Sequence, residues 1–298
     1  MNYNFSGFIW SPAKNYIDEI LEHINKTFPV LHYYTYDFKN KEDFESSVLD
    51  IYTTDDINPK KVKNVKIKNM VKYSFSYIYF KFYIANPKFR KKRATGNDLS
   101  QAVEAIKKGI RGKYKSKIKN YIYDIIIHIS DNFEQTKDID IIMKKYEKHR
   151  QHELINLKYF LKCNFKNDIF NRVDMLVRKY SMEQYLKDEN YDFDFYKKMQ
   201  KKRIKRNTMK KFIELIKSLK KNGFNKNYPI ICNRNYRIHN GSHRTAWAYY
   251  SNLTFIYIKR RDTNKSSNYT IKWFIKHNFS KKNIDIINNE LVKLNQYL

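Results

Sequence analysis

The chain has little of what a secreted or loosely linked protein is built from: among 298 residues there are two cysteines, six glycines and five prolines. Cys163 and Cys232 set no spacing pattern. That excludes a disulfide framework and points to a reducing, cytoplasmic setting. Scarce glycine and proline argue against linkers and collagen-like sequence. No apolar run approaches the length of a bilayer span, and the richest, Ile122 to Ile129, is interrupted by Asp124 and His128. The first residues lack a basic segment leading into an apolar one, so no signal peptide is expected.

What is present is ordinary hydrophobic content, 42%, on a chain of formal net charge +30. Such a length holds two domains with real cores, here read as 1–148 and 149–298. The charge attracts anionic partners, yet lysine, asparagine, isoleucine and tyrosine are all abundant together, as A+T-rich coding would make them in any gene. The densest basic blocks, at 89–93, 201–206 and 259–261, are separated by more neutral sequence. A basic protein follows from this, but no class of partner does.

The first half reads as a strand over 5–12 ended by Pro12, a helix over 13–27, and a strand over 30–36. A short helix over 44–52 and a strong strand over 77–85 follow. Helical spacing returns over 99–110, a buried strand is expected over 121–129, and a helix over 139–146. This βαβαβαβα order gives an α/β class, one sheet with helices packed on it. In the second half, 144–178 reads as a charged connecting helix and 177–185 as a strand. His149 and His152 would then share a helix face, but no further ligands are evident and no metal site is assigned. A helix with its cap at Asn207 or Thr208 runs to Gly223. Paired strands near 229–232 and 236–239, a strand over 255–259, and helices over 269–278 and 284–298 complete the chain.

Two stretches carry chemistry. In the first, Tyr236-Arg-Ile-His-Asn-Gly-Ser-His-Arg-Thr-Ala-Trp247, a glycine precedes a helix start whose leading amides lack partners, and Arg244 adds a fork-shaped cation. Such a turn suits an anion. In the second, His128 leaves a strand with Ser130 two positions on and Asp131 three positions on, placed to be oriented by local partners.

The stretch Gly109-Ile-Arg-Gly112, an apolar strand, then His128-Ile-Ser-Asp131 and a helix resembles the end of the nucleoside diphosphate kinase domain, with compatible elements from about 5 to 146. The chain departs from that signature at Ser11, Ile125, Ile129 and Asn132. The resemblance implies a ferredoxin-like sandwich, a phosphorylated His128 and an Arg111 on nucleotide phosphate, with Ser130 and Asp131 in support. The stretch from about 209 to 259, centred on Gly-Ser-His-Arg, resembles the ParB/sulfiredoxin superfamily. That resemblance implies ATP or CTP with Gly241, Ser242, His243 and Arg244 on the phosphates. Asn240 stands where many members carry an acid.

Together these imply a nucleotide-dependent phosphotransferase, using Mg²⁺, that acts on a hydroxyl of a small metabolite or glycan. Phosphoryl transfer asks mainly for positioning and charge neutralisation. The proton acceptor would be an acid among Glu183, Asp188, Glu189 and Asp131. The alternative is a ParB-like DNA-binding protein or nuclease, although no helix-turn-helix follows the turn. A third reading makes both sites relics.

Overall fold

The structure, a computed structural model, describes residues 2–298 apart from 56, 94, 120, 123, 166–170, 207 and 264–266. It is of the α/β class and divides into two compact units, Met1–Glu153 and Leu154–Leu298.

The first unit is organised by β1 (Asn2–Trp10) and β3 (Ser76–Ala85), antiparallel and in register from Asn2 opposite Ala85 to Trp10 opposite Tyr77. Between them in sequence come α1 (Ile17–Thr27), β2 (Val30–Asp37), α2 (Lys41–Tyr52) and a helical stretch. That stretch consists of α3 (Pro59–Lys61), the π-helical Val62–Ile67 and α4 (Lys68–Met70). After β3 a short hairpin, β4 (Phe89–Lys91) with β5 (Asp98–Ser100), leads into α5 (Gln101–Tyr114). Then follow β6 (Ile127–Ile129) and α6 (Phe133–Lys145). The strand order β6-β1-β3-β2, antiparallel at each step, is that of a split βαβ sandwich.

Local sequence explains these elements. In α1 the stripe Ile20, Leu21 and Ile24 is buried while Asp18 and Glu19 complement the helix start. Each such side chain contributes about 1.5–3 kcal/mol by leaving water. The side chains of Asn40, Ser100 and Asn132 accept amides three residues on and so fix the starts of α2, α5 and α6. Aromatic alternation in β1 and β3 supplies the core, with Phe8, Trp10, Tyr77 and Tyr79 on the face that meets α2 and α6.

The strand expected over 121–129 is a correction, since the strand spans only Ile127–Ile129, with the Ile126 carbonyl also accepting the Trp10 amide. Asp124 adopts a left-handed backbone, φ +57°, and accepts a hydrogen bond from the Tyr121 hydroxyl, so a turn takes the place of the strand's first half. Tyr123 lies outside the described residues.

The boundary between units falls inside β7 (Arg150–Asn156), where a connecting helix was expected. His149 ends a single 3-10 turn and His152 lies in the strand, so the two imidazoles do not share a helix face.

The second unit contains α7 (Leu157–Asn164), α8 (Val173–Lys187), α9 (Asp194–Ile204) and α10 (Met209–Asn222). It continues through β8 (Ile230–Cys232), β9 (Ile238–Asn240), α11 (Ser242–Tyr250), β10 (Phe255–Arg260), α12 (Ile271–Lys276) and α13 (Lys281–Tyr297). Its strands lie in the order β10-β8-β9, with β8 parallel to β10 and antiparallel to β9. The strand expected over 177–185 is also a correction: those residues form the middle of α8. That helix is buried on nearly every side, from Val173 and Asp174 through Arg178, Lys179 and Met182. A helix enclosed all round loses the one-sided spacing by which helices are recognised. At α10 the expected stop holds, with Gly223 at φ +68°. Thr208 sits at its start without a side-chain cap, and Asn207 lies outside the described residues. Among the described residues no helix is long and apolar enough to cross a membrane.

Candidate functional site

In the first unit, helical spacing sets Lys107, Arg111 and Lys115 in one stripe, four residues apart, while Val103, Ile106, Ile110 and Tyr114 are buried in the core. The stripe lines a cleft of about 800 Å³ with Lys92, Lys108, Glu104, Tyr121, Asp124 and Asp131. Five cations thus face three carboxylates, and Glu104 is also held by Arg90 from outside the cleft, at 2.6 Å.

Each predicted residue of this unit has a definite place. Arg111 donates through Nη2 to the Ile127 carbonyl at 3.1 Å, and its Nη1 lies 3.2 Å from Asp124 Oδ2. Its Nε is buried without a hydrogen-bond partner. Asp131 is bonded through its two oxygens to Lys107 and Lys92. Burial raises the proton affinity of Asp131, but Lys107 and Lys92 outweigh it and hold the carboxyl below its usual range. A carboxylate so held is a poor proton acceptor, and its chemistry is to fix the two ammonium groups at the cleft wall.

His128 does not line this cleft. It is 5% exposed and lies among the rings of Tyr52, Phe8 and Trp10, at 5.0, 6.0 and 6.4 Å between centroids. Its Nδ1 is 3.5 Å from Asp55 Oδ2, and its Nε2 has no hydrogen-bond partner. Burial pushes the imidazole down to about 4, against the opposing pull of Asp55. The ring is therefore neutral at physiological pH. Ser130 is equally enclosed, sharing a hydrogen bond with Thr136 at 2.7 Å and accepting the Ser6 amide at 3.1 Å. The sequence pattern thus brings Arg111 and Asp131 to one cleft and leaves His128 in the core. Sequence reasoning missed Lys92, Lys107, Lys108 and Lys115, of which the four-residue spacing in α5 was the available signal.

In the second unit the predicted turn forms, with Gly241 at φ +104° as the cap of α11. Packing explains the glycine: a Cβ there would meet Ile230 Cα at 3.2 Å. Close packing on β8 requires it, as does the left-handed backbone. The neighbouring side chains are engaged by the protein itself. Ser242 Oγ accepts from Arg172 Nη2 at 2.7 Å. His243 Nε2 and the Tyr196 hydroxyl are 2.8 Å apart, and the imidazole ring lies 4.6 Å from that of Phe212. Burial, then the nearby Arg178 and Arg203, hold His243 well below its usual range. Arg244 Nη1 donates to the carbonyls of Tyr228 and Pro229, the latter at 2.7 Å. Asn240 is exposed at the end of β9.

The three remaining predicted acids, of which Glu189 is exposed just after α8, are not part of this turn. Glu183 pairs with Lys179 at 2.7 Å and Lys187 at 3.2 Å, and Asp188, exposed after α8, accepts the Asn190 amide. Neither hydrogen-bonds nor ion-pairs with residues 240–244. The sequence reading also missed a buried cluster beneath the turn, in which Asp174 meets Arg172 at 2.8 Å, Arg178 at 2.7 Å and Arg203 at 3.7 Å. Its signal, an Asp–Arg pair one helical turn apart, was hidden because 177–185 was read as a strand.

No family model and no curated protein matches this chain. Among solved structures, an orthorhombic C222 crystal form of the Aquifex aeolicus nucleoside diphosphate kinase is similar over 48% of this chain and 95% of its own, at 9% identity and a TM-score of 0.31. A likeness of that size carries no functional argument.

Proposed function

We propose that the chain is a nucleotide-dependent phosphotransferase and that the α5 cleft of the first unit holds the phosphates. The observation that carries this reading is the surplus of cations over carboxylates around about 800 Å³ of open space, with the Arg111 fork at its wall. Phosphate oxygens would accept from Arg111 and from the lysine ammonium groups, neutralising the charge that develops on transfer. ATP or CTP would bring Mg²⁺ on its own phosphates. Asp124, 49% exposed against 7% for Asp131, is the carboxylate better placed to meet the ion or the acceptor's proton. The acceptor in this reading is a hydroxyl of a small metabolite or glycan. His128 contributes packing rather than phosphoryl relay, because its ring is enclosed and neutral.

A second reading, nucleic-acid binding, draws on the groove of about 600 Å³ along α9, where Lys197, Lys198, Lys201, Lys205 and Arg206 face Asp194. One panel separates the two. Thermal unfolding with nucleotides and Mg²⁺ should rise in the wild type and in His128→Ala, and should not rise in Arg111→Ala. At a hundred times its dissociation constant a ligand adds about 2.7 kcal/mol. Absence of any nucleotide effect, with tight duplex DNA binding that weakens steeply with salt, would replace the first reading by the second.

A further inference from the structure

The cluster beneath the Gly241 turn has more positive charge than the chain supplies to balance it. Arg172 and Arg178 are 1% and 2% exposed, and Arg203 keeps 13% of its side chain in solvent. All three meet the single carboxylate of Asp174, itself fully buried, and none has another carboxylate partner among the described residues. Arg172 makes four hydrogen bonds, two to Asp174 and one each to the Ile238 carbonyl and Ser242. Arg178 and Arg203 both converge on Gln200 Oε1, at 3.1 and 2.8 Å, which sets the two guanidinium groups side by side, and the Nε of each is buried with no hydrogen-bond partner.

Lysines in such a place could shed protons, but guanidinium groups keep theirs at neutral pH. Burial lowers Arg178 to about 10, still protonated. The ring of Tyr269, 4.4 Å from the Arg203 guanidinium, offers a polarised face but no net charge. Unmatched buried charge with unmade hydrogen bonds is costly, and an anion with several acceptor oxygens would relieve both at once.

We infer that Arg178 and Arg203, set side by side by Gln200, form an oxyanion site that takes a phosphate group. His243 and Arg203 are the partly exposed residues of this cluster. The site does not depend on the α5 cleft, and the test is built on a chain in which that cleft is silenced.

In full-length Arg111→Ala protein, chloride is replaced stepwise by inorganic phosphate at constant ionic strength and thermal unfolding is followed. The melting temperature should rise saturably by roughly 5 °C. The rise should vanish in Arg203→Gln and Arg203→Met, both of which should melt no lower than the parent in chloride, because an unmatched charge leaves with the side chain. Phosphorus NMR line broadening on the parent, competed by sulfate and not by chloride, gives a readout that needs no further variant. Replacing phosphate by ATP identifies the source: a shift at tenfold lower concentration assigns the group to a nucleotide, and equal concentrations assign it to free phosphate. No saturable rise and no line broadening in the parent, or a rise that persists in both Arg203 variants, would overturn the site.

Discussion

Arg111 and Arg244 were both read from phosphate-handling patterns, and both donate to backbone carbonyls, but only Arg111 also lines an open cleft among other cations. Arg111 stands on the cleft-lining stripe of α5, where it donates to the Ile127 carbonyl and pairs with Asp124 but shares an open cleft with four lysines. Arg244, in the more specific of the two motifs, folds its guanidinium back onto the carbonyls of Tyr228 and Pro229. The contrast extends to the carboxylates. Asp131 is held by lysines that retain 27% and 14% of their side-chain exposure, whereas Asp174 lies wholly inside a cluster of arginines. A motif specifies which donors are near a backbone turn, but the surrounding packing decides whether those donors remain available.

The sharpest way to test that contrast is to remove each carboxylate. Asp174→Ala leaves three arginines buried against one another, and a loss of about 3–5 kcal/mol is expected in denaturant unfolding. Asp131→Ala exposes ammonium groups that can turn to water, and about 1–2 kcal/mol is expected. Equal losses would erase the distinction between the two regions.

Acid should separate the buried histidine from the open cleft. The folded imidazole of His128 titrates at about 4 while the unfolded one titrates near 6.5. The unfolded chain therefore binds the proton first. The stabilisation is fully present above about pH 6.5 and is lost as pH falls towards 4, by which point the loss amounts to about 3 kcal/mol. Asp55, Asp131, Lys107 and Lys66 all act on this group, the acids favouring protonation and the lysines opposing it. His128→Phe should flatten the slope over that window, and an unchanged slope would place the titration elsewhere.

A further test lies at the turn. Gly241→Ala puts a Cβ on a left-handed backbone and against Ile230, at a cost of about 1–3 kcal/mol in thermal unfolding. Phosphate binding by Arg178 and Arg203 should survive it. Lost binding without lost stability would show that the glycine serves a ligand rather than β8.

Much of the fold was legible because the signals were local. The buried stripe of α1, the aromatic alternation of β3 and the glycine stop of α10 each lie within a few residues of the structure they dictate. Legibility failed where the environment, not the segment, set the answer. Residues 177–185 carry apolar and charged groups that fit a strand until α8 is enclosed on nearly every side, and Asp124, with its left-handed backbone, turns where a strand was expected.

The same division holds for chemistry. Sequence by itself determined the residue types, the glycine-led helix start and the spacing that aligns Lys107, Arg111 and Lys115. Only the tertiary structure decided that His128 is sealed among aromatic rings, that Arg244 is spent on carbonyls, and that Arg172, Arg178 and Arg203 share one aspartate. Hydrogen-bonding capacity is a property of a residue. Whether it is left over for a ligand depends on every group that folding brings within reach.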